Sequence, residues 1–346
     1  NDGGKVVKNP MGPLLQDLDS LPFSEYGNDN MYFIESNKLS RHDPELTDSS
    51  LWLQSSRGCP YSCSFCVENT YHDIFKDLGK FVRRRSVDSI IKEAQWNLNK
   101  PNNKKDNILF VDEVFGSNPT WIDEFESRYK KEVGLPFYAE YHPKTLKSRV
   151  LNKLAEAGID RIHFGIQTGS NYIRNEIYER PGTNDEVASL TEQIHKLNIK
   201  ISYDLILDND FETEKTLLEC IEMLLKLPKP VNFHTYSLQH FPGNGLTRKA
   251  IKAGHVTEEE LDDWPVMMRR TTENWSFIPK LRKLKKLKTL KIQMLNNIIW
   301  MMCWNHVSDS MVKYAVFGNS LGSKIMFYYL NIKSVIVWRI FGVGGY

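Results

Sequence analysis

Six short apolar runs, each followed by a helix-patterned amphipathic stretch, limit the fold of this 346-residue chain more than any other feature. The runs lie at Leu51 to Ser55, Ile108 to Val111, Phe137 to Tyr141, Arg161 to Ile166, Ile201 to Leu207 and Asn232 to Ser237. Helix punctuation fills the gaps: Asn118-Pro119 reads as N-cap and first helical residue, Thr183-x-x-Glu186 as a capping box, and Gly134 and Gly158 as stops. This alternation predicts repeated βα units. Parallel strands joined by right-handed helical crossovers curl into a barrel or partial barrel, and ligands collect where the strands end. Candidate chemistry is therefore sought in the turns after each run.

The first such turn reads Arg57-Gly58-Cys59-Pro60-Tyr61-Ser62-Cys63-Ser64-Phe65-Cys66, a CxxxCxxC triad with no obvious fourth cysteine partner. A cluster that only carries electrons usually has all its irons held by protein, commonly through four cysteines. Three thiolates leave one iron of a cubane open to something reactive. Zinc would need a fourth nitrogen or sulfur ligand, for which His72 is the nearest candidate, and the paired CxxC spacing is missing. Five cysteines in a chain without a secretory apolar segment at its start point to a reducing, cytoplasmic setting rather than disulfides. Cys220 and Cys303 stand among apolar neighbours and read as core.

The cysteine spacing, with an aromatic before the last cysteine, resembles the radical S-adenosylmethionine (SAM) superfamily. The resemblance runs from residue 51 to about 255. It implies an α/β fold, a partial (βα)6 TIM-like barrel, with a 4Fe-4S cluster on Cys59, Cys63 and Cys66 and SAM chelating the fourth iron. It also implies one-electron cleavage of SAM to methionine and a 5'-deoxyadenosyl radical that abstracts hydrogen from a substrate. Asp112 and Glu113, after the second run, match the segment that meets the SAM amino group, where a carboxylate suits an ammonium. Gln167 and Ser170, in Gly165-Ile166-Gln167-Thr168-Gly169-Ser170, match contacts to the ribose and carboxylate; many relatives carry Glu at the Gln167 position. Ile206 matches a strand residue beside adenine, or is ordinary barrel core. The following Asp208-Asn209-Asp210 departs from the usual Gly-x-Pro turn and keeps only Glu212-Thr213. Asn244 stands where Thr is common.

A finer resemblance concerns Asn9-Pro10-Met11 through Leu21-Pro22-Phe23, which is similar to the linker joining a cobalamin domain to the barrel in cobalamin-binding radical SAM proteins. Residues 1–48 are thus expected to be a linker from an upstream cobalamin domain that this chain does not contain, residues 49–255 the catalytic core, and residues 256–346 a mostly helical extension. Methyl transfer is the precedent that cobalamin implies. The expected partners are a small or lipid-like substrate and an external one-electron donor such as flavodoxin or ferredoxin. Two rivals stay open: a cobalamin-free enzyme such as a methylthiotransferase-like RNA modifier, and a non-catalytic iron–sulfur or zinc protein.

Hydrophobic residues at 41% and charged residues at 25% exclude both a disordered chain and a membrane-embedded bundle. Between Pro279 and Gln293 seven basic residues and no acid accompany Leu281, Leu284, Leu287 and Leu290. Such a helix either packs its leucines on the barrel or lies on an anionic membrane. Elsewhere no basic footprint suggests a nucleic-acid partner. His142, His234 and His240 fall at strand ends as substrate contacts or hydrogen-bonded structural residues, Tyr138, Tyr141, Tyr203 and Tyr236 as cavity or packing residues, and Arg83-Arg84-Arg85 as an anion contact or a solvated turn.

Overall fold

The computed structural model describes residues 4, 9–25, 31–35, 37–41, 43, 48–100, 104–229, 232–262, 287–303 and 306–341. The six runs become the strands β3 (Ser50–Leu53), β6 (Asn107–Phe110), β7 (Phe137–Tyr141), β8 (Ile159–Gln167), β9 (Lys200–Leu207) and β10 (Phe233–Ser237). They form one six-stranded parallel sheet in the order β10-β9-β8-β7-β6-β3, so each strand neighbours the next in sequence. That order is what successive right-handed βα crossovers produce. Two antiparallel pairs stand apart from it: β1 (Phe33–Glu35) with β2 (Lys38–Ser40), and β4 (Ser56–Arg57) with β5 (Arg83–Arg84).

The chain divides into two compact units, residues 1–62 with 66–162, and the tripeptide Cys63–Phe65 with His163–Tyr346. In the first unit β3 pairs with β6 through Leu51 opposite Ile108 and Leu53 opposite Phe110, and β6 pairs with β7 through Phe110 opposite Ala139. The inward side chains meet α2 (Val87–Leu98) and α3 (Pro119–Glu132). Phe110, Phe115, Phe125, Tyr129 and Phe137 are fully buried and stack or meet edge to face at 4.5 to 6.4 Å between ring centroids. Each ring removed from water stabilises this unit by roughly 1.5–3 kcal/mol. The predicted punctuation is present: Asn118 Oδ1 accepts from the Thr120 and Trp121 amides at the start of α3, and Gly158 ends α4 (Ser148–Ala157) with φ 102°.

In the second unit the Thr183–Glu186 capping box opens α5 (Asn184–Lys196). β9 and β10 pair in register, Tyr203 with Phe233, Asp204 with His234 and Ile206 with Tyr236. One face of the sheet here carries Phe164, Tyr203 and Phe233 in ring contact, with the Tyr203 hydroxyl donating to Thr191 Oγ1 of α5 at 3.0 Å. Strand alternation sends His163, Asp204, Ile206, His234 and Tyr236 to the opposite face. Helix α6 (Glu214–Lys226) buries Cys220, Ile221 and Leu224, and burial pushes the Cys220 thiol up to about 12, as befits a core residue.

The C-terminal extension is helical where it is described, at Leu287–Cys303, Asp309–Phe317 and Leu321–Phe341. Most of the basic leucine stretch, Lys280 to Lys286, lies outside the described residues. Among the described residues no helix is long and apolar enough to cross a membrane.

Candidate active site

The cysteine loop begins where β3 ends. Asp112, just past β6, is buried and accepts from the Ser55 amide at 3.0 Å and the Ser55 hydroxyl at 2.7 Å, with the Ser56 hydroxyl on the same oxygen. Burial raises its carboxyl above the ordinary aspartate value, against the pull of these donors. Both oxygens thus pin the loop's approach to the end of the second sheet strand. Gly58 follows with φ +87°, and a Cβ there would stand 2.6 Å from the Phe81 carbonyl oxygen. Only glycine fits that approach.

Cys59 is held from both sides. Its amide donates to the buried Glu68 carboxylate at 2.8 Å, and its carbonyl lies 3.0 Å from His72 Nε2, both on α1 (Val67–Ile74). The Tyr61 amide donates to Cys59 Sγ at 3.4 Å, and the Tyr61 ring stacks on His142 at 3.8 Å. Cys66 sits at the N-cap of α1 in extended conformation and makes no side-chain capping bond, so its thiol lies at a helix end where the dipole favours negative charge. Glu113 is exposed, with its carboxyl raised chiefly by desolvation and further by the charges of Glu68 and Asp112, opposed by its own amide and that of Gly58.

The tip of the loop belongs to the second unit. The Ser64 amide donates to the Tyr178 carbonyl at 2.8 Å and its hydroxyl to the Ile177 carbonyl at 2.6 Å. The Leu246 amide donates to the Ser64 carbonyl at 2.8 Å, and Asn244 Nδ2 to the Phe65 carbonyl at 3.1 Å. The Phe65 ring packs with Ile206, Phe211 and Leu238 on buried Ile173, Ile177, Tyr178 and Leu246. Buried Cys63 receives a guanidinium: Arg180 Nη1 lies 3.5 Å from its Sγ, while Arg180 Nη2 donates to the Gly165 carbonyl at 2.7 Å. Arg174 is buried alongside and bonds Asn171 and Asn184; burial and the charge of Arg180 lower its guanidinium to about 10.

Gln167 ends β8 at φ 66°, a left-handed conformation uncommon outside glycine, and its amide folds back over Gly165, where a Cβ would meet Nε2 at 1.9 Å. Ser170 is fully buried, and its hydroxyl donates to Glu219 Oε2 of α6 at 2.6 Å. Ile206 is brought into the cluster that holds Phe65. Of the other residues singled out, His240 pairs with Asp210 at 2.9 Å, Arg84 bonds Ser117 at 2.6 Å, and Arg85 meets Glu93. Glu68, Arg180 and the observed roles of His72 and Asn244 were not visible in the sequence.

These features suit an anionic thiolate-bound group. The three cysteines of the loop are in no disulfide, one under a guanidinium, one at a helix N-terminus and one fixed by backbone bonds on both sides. A parallel βα sheet with three cysteines in the turn after its first strand is the arrangement on which the family assignment rests. The chain belongs to the radical SAM superfamily, whose model matches residues 53–260. That family implies a 4Fe-4S cluster and SAM. Among curated relatives, an uncharacterized methyltransferase of Pyrococcus horikoshii is 24% identical over 254 residues, 72% of this chain and 50% of that protein. The cytidylyl-2-hydroxyethylphosphonate methyltransferase of Streptomyces wedmorensis is 24% identical over 274 residues, 73% of this chain and 47% of that protein. The chain spans about half the length of these relatives. In fold it matches the cobalamin-dependent SAM radical enzyme OxsB, with a TM-score of 0.55 at 16% identity over 88% of this chain and 55% of that one.

Proposed function

We propose that this chain is the radical SAM core of a cobalamin-dependent methyltransferase acting on a small molecule and supplied with electrons by an external one-electron donor. The observation that carries the radical SAM assignment is the loop itself: Cys59 and Cys66 fixed by backbone and helix, and Cys63 under Arg180. The methyl-transfer reading is supported by the names of the two curated relatives, and the cobalamin reading by OxsB. In this reading residues 49–255 are the core, residues 1–48 lead in from a cobalamin domain, and residues 256–346 are an appended helical region.

Cys59, Cys63 and Cys66 would hold the cluster, whose chemistry when bound is one-electron reduction of the SAM sulfonium. The chain's other residues divide between contact and support. Glu113, exposed and facing the Gly58 amide, is the carboxylate placed to receive an ammonium, while Asp112 fixes the loop through Ser55 and Ser56. Gln167 offers an amide at the end of β8, while Ser170 acts on the turn through Glu219. Ile206 and Phe65 supply an apolar wall suited to a purine. Arg174 and Arg180 make the ground beneath the β8 turn positive, which favours both thiolates and a carboxylate ligand.

The test is anaerobic iron–sulfur reconstitution followed by electron paramagnetic resonance of the reduced protein with and without SAM. A 4Fe-4S signal perturbed by SAM, with SAM cleavage lost in Cys63→Ala, is expected. A cluster indifferent to SAM, or zinc in its place, would refute the radical reading. Failure of a chain extended upstream to retain cobalamin would refute the cobalamin branch alone.

A further inference from the structure

On the sheet face opposite Phe164, Tyr203 and Phe233, three adjacent strands place one ligand-bearing side chain each at the same level. They are His163 of β8, Asp204 of β9 and His234 of β10, the last two paired in register. We infer that these three residues form a site for a divalent transition metal of the zinc class, with one coordination position left open. It is separate in chemistry from the cysteine loop, and the inference does not rest on the function proposed above.

The geometry points to a single ion. His163 Nε2 lies 2.8 Å from Asp204 Oδ1, His234 Nδ1 lies 4.0 Å from the same oxygen, and the three donor atoms all fall within 4.8 Å of one another. Zinc bonds of about 2.0–2.2 Å to nitrogen and oxygen in a tetrahedron put neighbouring donors about 3.3 Å apart. The observed separations straddle that value, so side-chain shifts below an ångström close the set around an ion. Two imidazoles and one carboxylate suit zinc, iron or nickel and argue against magnesium or calcium, which take oxygen ligands. Behind the first ring, Ser202 Oγ lies 3.4 Å from His163 Nδ1, the position where metal-bound histidines are commonly oriented through their other nitrogen.

Access is graded across the row. The His163 side chain is 6% exposed, Asp204 20% and His234 47%, so the set is rooted at one end and open at the other. An ion there has room for a water or a small-molecule oxygen as its fourth ligand. Ile206 stands on the same face of β9 two residues further along, about 6–7 Å toward the strand's end. Strand placement of all three ligands gives the rigidity that such a site needs.

Zinc binding to the reconstituted 346-residue chain tests this directly. The protein is stripped with a mild chelator, dialysed against micromolar zinc sulfate and assayed for zinc and iron by mass spectrometry. One zinc per chain beyond the cluster iron is expected, and His234→Ala and Asp204→Asn should each weaken it more than about 100-fold with iron content unchanged, since even outer-shell losses cost 10–100-fold. His234 is half exposed, so its variant remains informative if Asp204→Asn fails to fold. No zinc in the parent chain, or equal zinc in His234→Ala, would overturn the site and leave a hydrogen-bonded His–Asp–His row. A chain that takes zinc here but no iron would fail the cluster reading and keep this one.

Discussion

Replacing Arg180 should lower the reduction potential of a cluster bound to the cysteine loop. Its guanidinium lies 3.5 Å from Cys63 Sγ and is buried, where screening by solvent and salt is weak. Reduction adds one negative charge to the cluster. At an effective dielectric of about 20 and a mean separation of ~5–6 Å, a unit positive charge stabilises that electron by about 3 kcal/mol. Since 59 mV corresponds to about 1.4 kcal/mol for one electron, the ceiling is roughly 125 mV. Spreading of the electron over the cluster brings the expected fall to about 50–120 mV for Arg180→Gln. Arg180→Lys keeps the charge while losing the fork that reaches both Cys63 Sγ and the Gly165 carbonyl, and should stay within ~30 mV of the parent. The measurement is a potentiometric titration followed by electron paramagnetic resonance, with iron content as the control for loading. A change below ~20 mV in the Gln variant, or a rise, would refute the electrostatic role. A Lys variant that falls as far as Gln would assign the effect to geometry instead.

Glu68→Ala removes the buried carboxylate that accepts the Cys59 amide and should cost about 1.5–3 kcal/mol in urea unfolding together with a lower iron yield; a loss under ~0.5 kcal/mol would contradict it. Gly169→Ala puts a Cβ 2.3 Å from the Cys220 Cα, backbone that no rotamer change relieves, and should cost at least ~1–3 kcal/mol by the same assay. Glu212 is buried, and desolvation first and Asp208 second hold its carboxyl well above the ordinary value. Its folded form therefore binds more protons than its unfolded form, so its contribution is most favourable below the unfolded value near pH ~4.5 and is lost as pH rises toward the folded value. Glu212→Gln should accordingly gain stability relative to the parent as pH rises from ~5 to ~8, and parallel pH profiles for the two proteins would refute the assignment.

The strands, their order and the cysteine loop were legible because their signals are local. Apolar runs of four to seven residues alternate with capped helices, and Asn118-Pro119, Thr183-x-x-Glu186 and Gly158 do in the structure what their chemistry dictates. What holds the loop was not legible, because its partners are distant in sequence. Arg180 is 117 residues from Cys63, and Asn244 is 179 from Phe65; no spacing rule connects them. Local signatures also leave partners undecided. Asp112-Glu113 after a strand reads as two carboxylates aimed at one ligand, yet a one-residue step and a buried pair of serines turn Asp112 toward Ser55 and Ser56 and leave Glu113 in the open.

Backbone strain marks the same strand ends from another direction. Gln167 and Asp208, the residues that close β8 and follow β9, both adopt left-handed φ, at 66° and 59°, where glycine would be easier. Each is held there by side-chain geometry: Gln167 folds over a glycine that leaves it room, and Asp208 accepts from the Ser237 hydroxyl at 2.8 Å. Such conformations cost of order 1–3 kcal/mol and persist where the surroundings over-determine them, commonly at ligand sites. Substituting glycine at Gln167 would relieve that cost yet remove the amide from the end of β8. Gln167→Gly should therefore unfold at equal or higher urea while SAM binding weakens, a pairing that a purely structural residue would not show.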